Sequence, residues 1–191
     1  RVCLPSVEAG AAGVAETLRV SNNTMAPRDV FIVAGALSGA TVGGFTLAAT
    51  TEPLPAGEIC ETAVTLTAGS LPAEVMSGFV RDYAISSRPG CRSTFSAPDR
   101  AYQVMVPAGQ LLTVTASSAS DLILNLIPEP AASCGNASVA CVASADATLS
   151  GVAETLTWRN TTAGPLTVYL VVSAFGSMSA SPFSMTTTIQ P

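Results

Sequence analysis

A segment near the start of the chain returns, letter for letter, near its end. Residues 13–18 read Gly-Val-Ala-Glu-Thr-Leu, and residues 151–156 read the same. The match continues without a gap to Pro53 and Pro191, with 15 of 41 positions identical at a constant offset of 138 residues. Such self-similarity indicates a chain built from copies of one structural unit. Residues 54–191 then make one complete copy, preceded by the C-terminal part of another.

The composition argues against several classes of function. Hydrophobic residues are 48% of the chain and charged residues 11%, but the apolar runs are strand-sized and too short to cross a membrane as a helix. There is no histidine, and all 8 basic residues are arginines, against 13 carboxylates. The chain therefore lacks both the clustered cations that bind nucleic acid and the commonest general base and zinc ligand. We expect no enzymatic activity, no nucleic-acid partner and no membrane insertion.

The five cysteines follow the repeat. The offset aligns Cys3 with Cys141, and a counterpart of Cys134 would precede the first residue, so each complete unit has four cysteines and Cys3 is left unpaired by truncation. An even number per unit, without histidine or CxxC spacing, favours disulfides over metal ligation and an oxidising compartment, secreted or at the cell surface. Of the three possible connectivities, the turn-rich stretch before Cys141 favours a local pair with Cys134, which leaves Cys60 with Cys91.

Alternating apolar and polar residues dominate the chain. Residues 64–67 and 112–115 alternate with threonine, and residues 121–127 are apolar on both faces apart from one asparagine, as in a central sandwich strand. Turn residues separate these short segments throughout, which is typical of β-sandwiches. We predict an all-β fold, an antiparallel, jelly-roll-like β-sandwich. Its strands are expected near 62–67, 74–80, 82–86, 101–106, 110–117, 121–127, 140–144, 154–159, 166–174 and 182–189.

The repeat also predicts the domain organisation. Residues 1–53 are the C-terminal portion of a repeat, residues 54–59 a proline-rich linker, and residues 60–191 a complete sandwich. In the first portion, strands are expected near 16–21, 28–36 and 44–51. Half a sandwich cannot cover its own apolar face. Its partner is then either an upstream repeat of the same protein or a neighbouring subunit that donates strands, as in a filament or tight oligomer.

Several motifs of the complete unit occur together in one known family. They are Glu58-Ile59-Cys60, Asp82-Tyr83, Pro107-Ala108-Gly109, the strand opening at Asp121-Leu122, and the segment from Pro165 to Val172. With them the unit resembles the bacterial pre-peptidase C-terminal (PPC) domains, β-sandwich modules of secreted proteases and other exported proteins. It departs from them in having Ala97 before Pro98-Asp99, where the family usually has glycine. The resemblance implies a non-catalytic module for secretion, anchoring or adhesion, with calcium binding in some members.

Four aspartates are the candidate calcium ligands, because calcium prefers several carboxylate and carbonyl oxygens in one loop. They are Asp82, Asp99, Asp121 and Asp146. Their spacing matches no EF-hand, so hydrogen bonds that organise turns are the favoured role of Asp99 and Asp146. We therefore expect no cofactor and no metal site, and calcium is the one ion for which these residues are candidates.

Other candidate residues are better explained by structure than by chemistry. Glu154 and Ser144 recur as Glu16 and Ser6, and no histidine is present to activate a serine. Four aromatic residues could form a carbohydrate platform, although core packing is favoured for most of them. These are Trp158, Tyr83, Tyr102 and Tyr169. Three glycosylation sequons begin at Asn22, Asn136 and Asn160, and a bacterial origin would leave them bare.

These observations favour a non-catalytic, secreted or cell-surface tandem-repeat protein with a structural, adhesive or assembly role, which includes polymerisation by strand complementation. One alternative is the accessory region of a secreted protease or other hydrolase, whose catalytic domain lies before Arg1. Another is a carbohydrate-binding module with a glycan as its partner.

Overall fold

The computed structural model describes residues 13–22, 26–35, 44–83, 85, 88–93, 97–146, 149–175 and 181–191. These residues form nine strands and two 3-10 helices, with no α-helix, so the predicted all-β class is confirmed. The strands are β1 (Val64–Thr65), β2 (Gly69–Glu74), β3 (Asp99–Val106), β4 (Leu111–Ser118), β5 (Leu122–Pro128), β6 (Ala143–Ala145), β7 (Glu154–Arg159), β8 (Leu166–Ala174) and β9 (Phe183–Gln190). The 3-10 helices span Cys60–Thr62 and Ala131–Gly135. Neither helix is long enough to cross a bilayer, and the described residues contain no other candidate.

Two sheets pack against each other as a sandwich. One sheet has the order β1-β3-β8-β5-β6 and the other β2-β9-β4-β7. Apart from the parallel pair of β1 and β3, the pairings between described strands are antiparallel. From β2 to β9, consecutive strands lie in opposite sheets except β5 and β6, which pair in one sheet, and this is the jelly-roll order. The predicted jelly-roll-like sandwich is therefore confirmed.

The core between the sheets follows from alternation along each strand. In β4, Leu112, Val114 and Ala116 are buried, while the residues between them point away from the core. Tyr102 from one sheet and Phe183 from the other meet edge to face, with ring centroids 6.4 Å apart. This edge-to-face geometry suits the aromatic quadrupoles and joins the sheets at the centre of the core.

A second apolar layer covers the outer face of the five-stranded sheet. In β5, Leu124 belongs to the core between the sheets, whereas Ile127 packs outward with Tyr169, Ile59 and Tyr83. Six of the seven β5 residues are buried. Burial of both faces explains why residues 121–127 are apolar almost throughout, and it confirms their prediction as a central strand.

Two disulfides fasten this outer layer. They join Cys60 to Cys134 and Cys91 to Cys141, so the predicted pairs Cys134–Cys141 and Cys60–Cys91 are wrong. The prediction assumed local closure, but the two 3-10 helices pack together and bring Cys60 to Cys134. Cys141 instead lies beside the 89–91 turn, where its N–H donates to the Pro89 carbonyl at 3.0 Å. Cys3 lies outside the described residues.

The predicted strands near 74–80 and 82–86 do not form, since described residues 75–83 and 85 are irregular. In these residues, side-chain carboxylates accept hydrogen bonds from the backbone N–H groups that would otherwise pair with a neighbouring strand. The Val80 N–H donates to Glu58 Oε1 at 3.1 Å, and the Tyr83 N–H donates to Asp99 Oδ2 at 3.1 Å. In their place the edge strand β2 pairs with β9, at residues that precede the predicted strand near 74–80.

The predicted linker is partly buried in the folded unit. Gly57, Glu58 and Ile59 are buried, and the Gly57 carbonyl accepts a hydrogen bond from the Ala101 N–H at 2.7 Å. A side chain at Gly57 would place its Cβ 3.0 Å from the Ala101 oxygen, and φ is +86°. Residues 57–59 are therefore part of the folded unit, because β3 approaches them too closely for a free spacer.

The strands predicted near 16–21, 28–36 and 44–51 are also absent, as far as residues 13–22, 26–35 and 44–53 are described. The strand order gives the reason. β7 pairs with β4, β8 lies between β3 and β5, and β9 lies between β2 and β4. None of the three C-terminal strands pairs with another of the three, so a copy of them alone has no sheet to join.

Candidate functional site

Large apolar side chains are exposed in the described part of residues 13–53, which we call the partial unit. Phe31 is 90% exposed, Val33 91% and Phe45 71%. The exposed apolar set comprises these three with Leu18, Val30, Ile32 and Leu47. So many large apolar groups in water are unusual for a folded domain, and they make this set the candidate interaction surface.

The counterparts of this set, 138 residues later, lie in the core. They are Leu156, Val168, Tyr169, Leu170, Val171, Phe183 and Met185, and none is more than 8% exposed. Val14 and its counterpart Val152 provide the internal control, because both are exposed in their respective copies. Similar sequences thus have different burial, and the difference lies in whether strands β2 to β5 are present to cover them.

Local structure in the partial unit nevertheless repeats that of the complete unit. Asn22 donates its side-chain amide to the Ala26 carbonyl at 2.7 Å, and Asn160 donates to the Gly164 carbonyl at 2.9 Å. Asn160 also donates to the Val106 carbonyl on β3, at 2.8 Å. The short-range bond therefore forms in both copies, whereas the bond to Val106 requires the first half of the unit.

The partial unit contacts the sandwich beside a cluster of acids. An open groove of about 560 Å³ is lined by residues 17–22, 28, 30 and 50–55. Ser21 Oγ donates to Glu58 Oε1 at 2.9 Å near this groove. Arg19 and Glu52 form an exposed ion pair of 3.8 Å, which adds little stability in water.

The acid cluster consists of Glu58, Asp82 and Asp99. Asp99 is fully buried at the start of β3, and its carboxylate accepts the Tyr83 N–H at 3.1 Å and the Asp82 N–H at 3.5 Å. Glu58 is also buried. Neither Glu58 Oε2 nor Asp82 Oδ2 has a hydrogen-bond donor among the described residues. A proton on the Asp82 carboxyl turns it into a donor, for which the Glu58 carboxylate is an acceptor.

The electrostatics of the cluster agree with such a proton. Burial, the charge of Glu58 and a hydrogen bond to Glu58 together raise the pKa of Asp82 to about 7, and burial is the largest of these causes. Burial also holds the pKa of Asp99 well above its usual range, although the Tyr83 N–H opposes the shift. Desolvation and mutual repulsion thus keep the cluster from carrying all three negative charges.

Asp82→Asn is expected to raise stability above pH 7 by about 1–2 kcal/mol, allowing for the partial exposure of the site. Because folding raises the pKa of Asp82, protonated Asp82 stabilises the folded state. This stabilisation is fully present below about pH 3.9, the pKa of Asp in the unfolded chain, and is lost as pH rises through the pKa near 7 in the folded chain. Asparagine stays neutral and donates to Glu58 at every pH. Urea unfolding at pH 5 and pH 8 should show a smaller loss of stability in the variant. The matched control is Asp29→Asn, an exposed carboxylate, and an unchanged pH dependence in Asp82→Asn would contradict this assignment.

The four predicted calcium ligands separate into two pairs. Asp82 lies beside Asp99, whereas Asp121, before β5, lies near Asp146. The pKa of Asp121 is raised by burial, then by repulsion from Asp146 and Glu154. Among the described residues, no three His, Cys, Asp or Glu side chains are placed to hold a metal ion. The described contacts of Asp99 organise the backbone of residues 82–83, which is the role that the sequence favoured for it.

The candidate catalytic groups take part in the fold. Ser144 Oγ donates to the Gly90 carbonyl at 2.9 Å, and Glu154 is buried at the start of β7. Glu58 is missing from the candidate acids because it lies in the segment predicted to be a linker. The Glu58-Ile59-Cys60 motif is the one feature of the sequence that points to a role for it.

The candidate aromatic platform is not assembled. Tyr83, Tyr102 and Tyr169 are buried, which confirms the favoured role in core packing for these three. The Tyr83 hydroxyl accepts the Cys60 N–H at 2.7 Å, which ties the outer layer to the first disulfide. Trp158 is half-buried against the core between the sheets.

Comparison with known proteins found no matching family model, no matching curated protein and no matching solved structure. The resemblance to PPC domains therefore stays a prediction.

Proposed function

We propose that the chain is a non-catalytic structural module of an exported repeat protein, and that the exposed apolar set is its assembly surface. The observation that carries this proposal is the contrast between the two copies. Phe31 and Val33 are almost fully exposed, while Tyr169 and Val171 at the same repeat positions are buried. Burying one such side chain contributes about 1.5–3 kcal/mol, so covering the set favours association strongly.

The contacts of the candidate reactive groups support a non-catalytic role. The Glu58, Asp99 and Glu154 side chains are buried, where a substrate in solution does not reach them. Ser144 donates its hydroxyl proton to a backbone carbonyl and has no histidine to activate it. These groups stabilise loops and strand ends, which is consistent with a module whose task is mechanical or adhesive.

The two disulfides fit an oxidising compartment, since such bonds persist where thiols are not kept reduced. They support the further proposal that the protein is secreted or displayed at the cell surface. An adhesive role through a glycan has weaker support, because three of the four candidate aromatic residues are buried.

The assembly role is tested with the double variant Phe31→Asp/Val33→Asp of the full chain. The wild-type chain is expected to bind a hydrophobic dye through its exposed apolar set. The variant should not bind the dye, and its melting temperature should be unchanged. The matched variant Tyr169→Asp/Val171→Asp should instead unfold the sandwich. Identical dye binding by the wild type and the Phe31/Val33 variant would refute the assembly surface.

A further inference from the structure

The exposed apolar set requires a partner with several strands. In the complete unit, β8 lies between β3 and β5, and β9 lies between β2 and β4. Residues 30–33 correspond to β8, and residues 45–47 to β9. Each therefore needs a strand on both sides, and the apolar face needs the opposite sheet. A single strand added at an edge cannot supply this, whereas a first half-unit with strands β2 to β5 can.

A second copy of the chain is not the fitting partner. The first half of each copy already holds its own β7, β8 and β9. To bind the partial unit of another copy, this first half would have to release its own three strands. Trp158 would then leave the core, and Val20 would take its place. Replacing one set of strands by the other buries no additional surface, and the core loses the larger side chain. The fitting partner is a first half-unit whose second half is vacant.

The register of the repeat places such a half-unit directly ahead in the same chain. Gly13 and Gly151 both have φ of +81°, the left-handed turn that leads into β7 in the complete unit. Before this turn, Cys3 aligns with Cys141 and Ser6 with Ser144 without a gap. The alignment thus extends into the segment that carries β6.

The disulfides add a chemical requirement. Cys141 is bonded to Cys91, and Cys60 to Cys134, so these four cysteines are occupied. Cys3 stands at the repeat position of Cys141, so the partner that the repeat assigns to it is an equivalent of Cys91. Such a cysteine lies in the first half of the unit.

We infer that the partner of the exposed apolar set is a first half-unit with the strand pattern of residues 54–138, joined directly ahead of Arg1. It completes a second jelly roll and pairs its Cys91 equivalent with Cys3. This inference rests on the proposed assembly function and names its partner. When the disulfide forms, the two thiols give two electrons and two protons to oxidised glutathione, which leaves as two reduced molecules.

A fusion chain tests the inference, with an added copy of residues 54–138 placed before the intact residues 1–191. After refolding in glutathione buffer, alkylation under denaturing conditions should label one cysteine in the unfused chain and none in the fusion. Peptide mapping should find Cys3 bonded to Cys91 of the added copy. Hydrogen exchange of residues 30–33 should slow by at least about 100-fold. A reactive Cys3, or exchange as fast as in the unfused chain, would overturn the inference.

Two control fusions separate the possible outcomes. With Cys91→Ser in the added copy, Cys3 should stay reactive. With Leu124→Asp in the added copy, residues 30–33 should lose protection while residues 168–171 keep theirs.

If the unfused chain instead forms a dimer that protects residues 30–33, the partner is a second copy. The inference then fails while the assembly function stands. If the unfused chain binds no hydrophobic dye, the assembly function itself fails.

Discussion

Phe183→Ala is expected to lower the free energy of unfolding by about 3–5 kcal/mol, whereas Phe45→Ala should change it by less than about 0.5 kcal/mol. The two phenylalanines occupy the same position in the repeat. Phe183 is buried between the sheets and meets Tyr102 edge to face, so its removal leaves a cavity and an unpaired ring. Phe45 is 71% exposed and has little packing to lose.

Urea unfolding of the full chain, followed by circular dichroism, measures both changes. A second matched pair, Val171→Ala and Val33→Ala, should show the same asymmetry with a smaller loss in the buried member. Val152→Ala and Val14→Ala should both be nearly neutral, because both residues are exposed. Equal losses for Phe183→Ala and Phe45→Ala would mean that the partial unit has a packed core of its own.

Loss of either disulfide is expected to cost about 4 kcal/mol, because each closes a long loop of the unfolded chain. Cys60 and Cys134 are separated by 74 residues, and Cys91 and Cys141 by 50. Both bonds hold the outer layer on the five-stranded sheet, where few hydrogen-bonded strand pairs fasten the loops. Without them, the layer around Tyr83 and Ile127 loses its covalent fastening to the sheet.

The double variants Cys60→Ala/Cys134→Ala and Cys91→Ala/Cys141→Ala should therefore each melt well below the wild type in a thermal scan. Cys3→Ala is the matched control and should leave the melting temperature unchanged. The variant Cys134→Ala/Cys141→Ala tests the connectivity directly, since it breaks both bonds in this structure but only one under local pairing. A loss no larger than that of the other double variants would contradict the connectivity.

The strands that pair with their neighbours over a long, regular run of residues were predicted from the sequence. Residues 112–116 alternate because one face of β4 is buried, and residues 121–127 are apolar throughout because both faces of β5 are buried. Such patterns report burial directly, and the sandwich followed from them. The repeat added the correspondence between residues 13–53 and the last three strands.

Three features could not be read from local patterns. Residues 75–83 look strand-like, yet Glu58 and Asp99 accept their N–H groups from distant positions in the sequence. The disulfide pairs depend on how the loops fold back over the sheet, which spacing alone does not show. The acid cluster brings Glu58, Asp82 and Asp99 together through tertiary folding, and only the structure reveals that they share one site.

The central claim is that residues 13–53 have the sequence of three jelly-roll strands but lack the strands that would pair with them. Amide hydrogen exchange of the unfused chain tests it most directly, by comparing residues 30–33 with residues 168–171. We expect residues 168–171 to exchange only by global unfolding, because β8 is paired on both sides, and residues 30–33 to exchange at rates close to those of unstructured peptides. Comparable slow exchange in both segments would contradict the account.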